Sequence, residues 1–354
     1  MMKRYRKLLA FLLIISNICM LSACGNTKIV ISTGFNKNEV FRVGSERAEE
    51  NEWLLYLVNI TNGYEQVYGK ELLNLRADDT NTLLDKCKDI ATAQLSRIKA
   101  MKLLATKQKL TLTEEEKKAV ADAADVYFET LSQEERELLG VKKVDVIADI
   151  YAEKLLADKL YAYFIKDVNP EISDDEARII TVQHVLLKTY TTDEFGNKHN
   201  LTDKELSHVY KRAEEVHRLA VEGESFDALI SKYSEDIKGT YAFGKGEMEK
   251  AFEEVAFSLA KNEIAPVVLS SHGYHIIKCI STLDREATDL NKQKLLMARK
   301  QEVFGDTYNE FVSKLDTQVN EKLFNSIVLP DSAIVDTAEL FTIYEQELGE
   351  MFGF

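Results

Sequence analysis

Proline is scarce in this chain, three in 354 residues. That scarcity leaves room for long helices, because proline breaks a helix interior. Cysteine numbers only four, too few for a scaffold built on disulfides. Basic residues are outnumbered 45 to 59 by acidic ones, for a net charge of −14. Such a surface repels phosphate backbones and anionic headgroups, which excludes nucleic acid as a direct ligand. No internal repeat or low-complexity tract is evident. The repeated βα units of a two-lobed solute-binding protein are missing as well. The apolar run Leu8 to Ile15 is too short to span a bilayer as a permanent helix.

That run nevertheless has a context. Lys3, Arg4, Arg6 and Lys7 precede it, and Leu21-Ser22-Ala23-Cys24 follows. Charged start, apolar middle and small-residue end are the parts of an export signal. The last four residues resemble a bacterial lipobox, in which the cysteine becomes the acylated N-terminus. Residues 1–23 are therefore expected to be a signal peptide, with Cys24 as lipidation site and the chain on the extracytoplasmic face of the cell membrane. Losing the signal makes the mature chain four charges more negative. Cys87 and Cys279 then remain. Both fall on apolar faces of predicted elements, which favours two buried thiols over a bridge.

Residues 24–44 read as a tether with an extended start. From Ser45 the pattern is helical, with Trp53, Leu57 and Ile60 on one face. Leu83, Leu84, Cys87, Ile90, Ala91, Leu95, Ile98 and Met101 repeat with a helical period. Thr113 with Glu116, and Ser132 with Glu135, resemble capping boxes, and Gly140 can end the short helix after the second. Residues 45–170 are thus expected to be an all-helical domain that Asn169-Pro170 closes. Residues 171–285 differ. Ile180, Val182, His184 and Leu186 alternate, as do His275, Ile277 and Cys279, with helical patterns between. Tyr190 to Leu201 reads as a mobile loop. Residues 286–354 are expected to be a C-terminal helix returning to the first domain. The fold class is α+β: a small α/β domain inserted in an all-helical one.

His184 and His275 each sit mid-strand among apolar neighbours, and adjacent strands would bring both rings to one sheet face. Phe243, Met248, Phe252 and Phe257 lie between them, with Met248 and Phe252 four apart on one helix face. Paired imidazoles beside an apolar group suggest a ligand that is apolar with one polar bond. The plainer reading is core histidines among core aromatics. A metal site on His272 and His275 is disfavoured, because strand geometry sends them to opposite faces and no carboxylates flank them.

The same residues carry a family resemblance. Gln183-His184-Val185-Leu186 resembles the opening strand of parvulin-type peptidyl-prolyl isomerases. Phe226-Asp227-Ala228-Leu229 with Tyr233-Ser234-Glu235-Asp236, then Gly246-Glu247-Met248, Phe252 and Ala256-Phe257-Ser258-Leu259, resemble their middle. Gly273-Tyr274-His275-Ile276-Ile277 resembles their closing strand. With the flanking helices and the lipobox, the chain resembles PrsA-type foldase lipoproteins, whose helical region is similar to that of SurA-type chaperones.

That resemblance implies His184, Asp236 and His275 as the catalytic group. It implies Phe243, Met248 and Phe252 as the substrate-binding residues around the proline ring, with Ser270 grouped beside them as a supporting hydroxyl. It implies no cofactor and no metal. The partners it implies are unfolded or nascent exported polypeptides with Xaa-Pro bonds and, through the anchor, the membrane; a homodimer is compatible with it. The run Ile237 to Gly244 is shorter than the family's usual glycine-rich loop. Two functions follow: a membrane-anchored isomerase and foldase, or a holdase whose parvulin domain is weak or inactive.

Overall fold

The computed structural model describes residues 34–352. In chain order the elements are β1 (Glu39–Val43), β2 (Glu46–Glu49), α1 (Glu50–Tyr68), α2 (Leu83–Lys107), α3 (Glu114–Thr130), α4 (Gln133–Leu138), α5 (Asp145–Ile165) and α6 (Asp174–Ala177). Then come β3 (Ile180–Lys188), β4 (Tyr190–Thr192), β5 (Lys198–Asn200), α7 (Asp203–Val221), α8 (Phe226–Tyr233), β6 (Thr240–Phe243), α9 (Lys250–Ser258), β7 (Val268–Ser270) and β8 (Gly273–Ser281). The chain ends with α10 (Arg285–Val312), β9 (Thr317–Val319), α11 (Glu321–Ser326) and α12 (Leu340–Glu347). Two compact units result. One joins the chain up to Asp167 with the chain from Glu302; the other is Val168–Gln301. Among the described residues no helix is long and apolar enough to cross a membrane. The signal and Cys24 lie outside the described residues.

The first unit is mainly helical, and its helices start where their caps dictate. Thr82 with Asp85, Thr113 with Glu116, and Ser132 with Glu135 each form a complete capping box. Each satisfies two backbone donors that a helix start otherwise leaves open. Gly140 takes φ +68° just past α4, a conformation that favours glycine. On α2 the buried stripe runs Cys87, Ala91, Leu95 and then Lys99. Buried Lys99 is met by Glu52 of α1 and Glu153 of α5, each at 2.7 Å, and Lys102 joins Glu153 to Glu46 of β2. Charge pairing thus replaces apolar contact at one turn of the stripe.

Four expectations fail in this unit. It is not all-helical, because β1 lies between β2 and β9 in an antiparallel sheet. The tether cannot reach residue 44, because Val40, Phe41 and Val43 of β1 are buried in the core. Helix does not begin at Ser45 either; Glu46–Glu49 is strand and the helix starts at Glu50. The expected single C-terminal helix is broken into α10, β9, α11 and α12, since Thr317–Val319 pairs with Phe41–Val43. The C-terminal stretch is then fastened by polar bonds. Asn62 donates to the carbonyls of Val335 and Thr337 at 2.8 Å, and Tyr151 donates to that of Leu340 at 2.6 Å.

The second unit holds a four-stranded antiparallel sheet in the order β6-β3-β8-β7. Alternation along β3 and β8 splits the apolar residues between two faces. Val185, Leu187 and Ile276 pack under α7 and α8 with Ala213, Val216 and Leu229. Ile180, Val182, Ile277 and Cys279 pack on the other side with Phe243, Phe252 and Ala256. Cys87 and Cys279 are both buried free thiols, in different units. The expected loop after Tyr190 is instead the hairpin β4–β5, whose turn is tied by Asp193, accepting from the backbone of Phe195 and Asn197.

Candidate active site

The site grows from the register of the central strand pair. Opposite residues are His184 with Ile277 and Leu186 with His275. The two histidines are therefore diagonal neighbours on one face, a distance that ring side chains can bridge. Their Nδ1 atoms lie 3.1 Å apart, with the rings 19° from parallel. Both are buried, at 3% and 5% exposure.

Each ring is held at its far nitrogen. His275 Nε2 is 2.7 Å from Ser270 Oγ. Ser270 ends β7 opposite Gly273, and the tight turn between them brings the His272 N–H onto the same hydroxyl. Gly273 has φ +142°, and a Cβ there would strike the Leu187 carbonyl, so only glycine lets β8 start this close. His184 Nε2 is 2.9 Å from Asp236 Oδ2. Asp236 gets there because the segment after α8 is zipped to β3: Glu235 N–H donates to the Leu186 carbonyl and Leu186 N–H to Ser234 Oγ.

Charge states settle the direction of the chain of bonds. Burial opposes charge on Asp236, but hydrogen bonds from the Tyr241 hydroxyl, the Ile237 N–H and His184 hold its carboxyl below the ordinary aspartate range. An ionised carboxylate only accepts. Burial lowers His275 to about 4, helped by its neighbours His184 and His272, and burial lowers His184 in spite of Asp236. Both rings are then neutral near pH 7, with one N–H each. His184 must spend its N–H on Asp236, so its Nδ1 accepts from His275 Nδ1–H. His275 Nε2 accepts in turn from the Ser270 hydroxyl. The line Ser270, His275, His184, Asp236 has one consistent polarity.

An apolar dish lies against this line. Phe252 of α9 sets its ring edge on both histidines, with centroids 5.5 Å and 5.1 Å away. Phe243 packs against Phe252 at 6.0 Å and Phe257 against Phe243 at 5.8 Å. Met248 is half-buried against the same cluster. Two acids at the start of α9 steady the rim. Glu253 accepts from the N–H groups of Gly246 and Met248, and Glu249 from that of Ser271.

The residues expected from sequence thus fall together, with two adjustments. Phe243 is 1% exposed, so it backs Phe252 rather than facing the dish. Ser270 is buried and its hydroxyl is taken up by His275, which makes it a positioning residue and not a contact for substrate. Sequence reasoning missed Tyr241, which donates to Asp236 at 3.0 Å and sets its ring edge 5.3 Å from His184. Its segment reads as loop, and only strand alternation between Tyr241 and Phe243 could have hinted at it. A separate cleft of about 700 Å³ is lined by Pro170, Ile172 and Leu296, with Lys292 and Arg299. Those two cations are already paired with Asp174 and Glu176.

A neutral histidine pair, a rim carboxylate and a dry aromatic dish on a four-stranded antiparallel sheet define a peptidyl-prolyl isomerase domain of the parvulin class. Residues 184–281 match the family model described as Rotamase, PPIC-type PPIASE domain. Beyond that domain, the chain is similar to PrsA foldases over about three-fifths of its length. It is 28% identical over 237 residues to Foldase protein PrsA 3 of Bacillus cereus, covering 63% of this chain and 75% of that one. It is 31% identical over 215 residues to Foldase protein PrsA of Caldanaerobacter subterraneus subsp. tengcongensis, covering 58% of this chain and 65% of that one. A crystal structure of the Bacillus cereus peptidylprolyl isomerase PrsA aligns with 78% of this chain and all of that chain, at 21% identity and a TM-score of 0.36.

Proposed function

We propose that the protein is an extracytoplasmic foldase, anchored through a lipid on Cys24, that isomerises Xaa-Pro bonds in exported polypeptides still unfolded. The observation that carries the catalytic part is the neutral His184–His275 pair beneath an aromatic dish, with ionised Asp236 at its edge.

The chemistry asked of such a site is modest. Amide resonance sets the rotation barrier at roughly 18–20 kcal/mol. A thousandfold acceleration needs about 4 kcal/mol of preferential binding to the transition state. A twisted amide has lost resonance and much of its polarity, so a dry dish around Met248 and Phe252 holds it better than the planar form. The planar amide also concentrates negative charge on its oxygen. A carboxylate at Asp236 near that oxygen would disfavour the planar state more than the twisted one. The histidines serve as the floor and the brace of Asp236. Their N–H groups and lone pairs are used within the relay, so no nucleophilic step is assigned to them.

The test is acceleration of cis–trans exchange in a Xaa-Pro tetrapeptide, comparing wild type with His275→Ala. Wild type should accelerate it and the variant should lose most of that rate. A second reading, a holdase with a weak parvulin domain, draws on the short Ile237–Gly244 segment. It gains the field if wild type accelerates no Xaa-Pro peptide yet suppresses aggregation of an unfolded client. The anchor has its own check. Cys24→Ser should release the protein from membranes or leave its signal uncleaved, and normal processing with retained attachment would exclude this cysteine.

A further inference from the structure

Asp236 stands on an exposed stretch of chain. Ile237 and Lys238 beside it are exposed, Ile237 fully. Its Oδ1 accepts from the Ile237 N–H at 2.7 Å, a bond within the same exposed stretch. Its Oδ2 accepts from His184 and from the Tyr241 hydroxyl. Tyr241 itself belongs to the sheet: it lies opposite Val182 on β6, two residues along β3 from His184. The phenol is therefore a strut from the sheet to the exposed side of the rim. Its ring and that of Phe252 set their edges against His184, at 5.3 Å and 5.5 Å.

The strut also bears on the relay. With Tyr241 donating, Asp236 keeps two donors on one oxygen and stays ionised. Without it the carboxyl gains a proton more readily. A protonated Asp236 can donate to His184 Nε2, which reverses every bond down to Ser270. Ser270 already accepts from the His272 N–H, so it would have to accept twice and turn its own proton to the Glu249 carboxylate beside it. One hydroxyl on β6 thus decides between one ordered relay and two competing ones.

We propose that Tyr241 is a positioning residue of the isomerase site, one side chain that pins the Asp236 carboxylate over His184 and fixes the direction of the histidine relay. The proposal rests on the isomerase reading above.

The test is Tyr241→Phe in the full chain, which keeps the ring and removes only the donor. Circular dichroism and melting should be unchanged. The value of kcat/KM on an Ala-Pro tetrapeptide should fall roughly ten- to 150-fold, the loss of one hydrogen bond to a charged group. The acid limb of its pH profile should move upward, which a merely structural tyrosine would not cause. In an Asp236→Asn background the same change should cost nothing further. Carboxyl carbon NMR of labelled aspartate needs no turnover, and there the Asp236 midpoint should rise in Tyr241→Phe. An unmoved rate and acid limb in an active enzyme, or an unmoved or lowered Asp236 midpoint, would overturn the proposal. Wild type inactive on every Xaa-Pro peptide sinks the isomerase reading instead, and the NMR midpoint still decides whether Tyr241 holds Asp236.

Discussion

The two units bury polar groups in opposite ways. In the helical unit the cluster is ionic: Lys99, 4% exposed, faces two carboxylates. In the isomerase unit the buried members are neutral, two imidazoles joined to each other and to a serine, with the ionised Asp236 at the rim. Each solution shifts titration its own way. Burial, opposed by Lys99 and reinforced by Glu153, raises Glu52 to about 7. Burial lowers His275 to about 4. An acid raised on folding adds stability that is complete below its unfolded value and fades as pH climbs to 7. A histidine lowered on folding adds stability that is complete above its unfolded value and fades as pH drops to 4. Between about pH 4.5 and 6.5 the two units should respond to pH in opposite directions. Burial leads both shifts, and their signs differ because the form it disfavours, the charged one, is the deprotonated form of Glu52 and the protonated form of His275.

The largest effect should come from breaking the ionic side. Lys99→Ala takes the cation from Glu52, leaves Glu153 to Lys102 alone, and should cost the helical unit about 3–5 kcal/mol. Lys99→Met should cost far less, because it fills the stripe and Glu52 can stay protonated. Trp53 is the chain's single tryptophan, buried against Phe324 and donating to Thr92, so its fluorescence reports this unit's unfolding. Equal losses for Ala and Met would show that packing and not charge dominates there.

On the neutral side, His184→Ala strands the His275 N–H and removes a donor from Asp236. It should destabilise the isomerase unit by about 1–3 kcal/mol and abolish most turnover. A fully active variant would end the relay's claim on catalysis. Met248→Ala leaves the relay whole and trims the dish, so stability should hold while kcat/KM drops roughly ten- to two-hundredfold. If instead the loss is in folding and not in rate, Met248 is core and not pocket.

The smallest effect is the sharpest test of the contrast. Denaturant melts followed by Trp53 should show the helical unit losing stability from pH 5 to 7, on the order of 1–2 kcal/mol. Glu52→Gln should flatten that slope. The histidine ring signals of the other unit should show it gaining stability over the same range. Parallel slopes would mean that the two clusters are not what sets either response.

Much of the isomerase site could be read from sequence, because strand alternation is local information. Ile180, Val182 and His184 announce a shared face, as do His275, Ile277 and Cys279; Met248 and Phe252 do join one cluster, but not as a helix face, because Met248 precedes α9, which starts at Lys250. The capping boxes at Thr113 and Ser132 are local too. What escaped was held by distant partners. Glu-Arg-Ala-Glu at β2 has no strand signature, and β9 is three residues long; they are strands only because β1 lies between them. Lys99 looks like a solvated lysine until Glu52 and Glu153 arrive from other helices. Tyr241 becomes a site residue only once β6 docks beside β3 and Asp236 swings over His184.

The connectivity has a consequence for the order in which the molecule can be assembled. The His184–His275 contact spans 91 residues, all within one continuous stretch of chain. The Asn62–Val335 bond spans 273, and β1 waits for β9 across a comparable distance. A chain delivered from its N-terminus therefore holds every residue of the isomerase unit before the helical unit has its last strand. Until then Val40, Phe41 and Val43 sit on a sheet edge that lacks one neighbour, open to pairing with any passing strand. A chain halted near residue 312 should carry a folded isomerase unit beside a helical unit still missing its final strand.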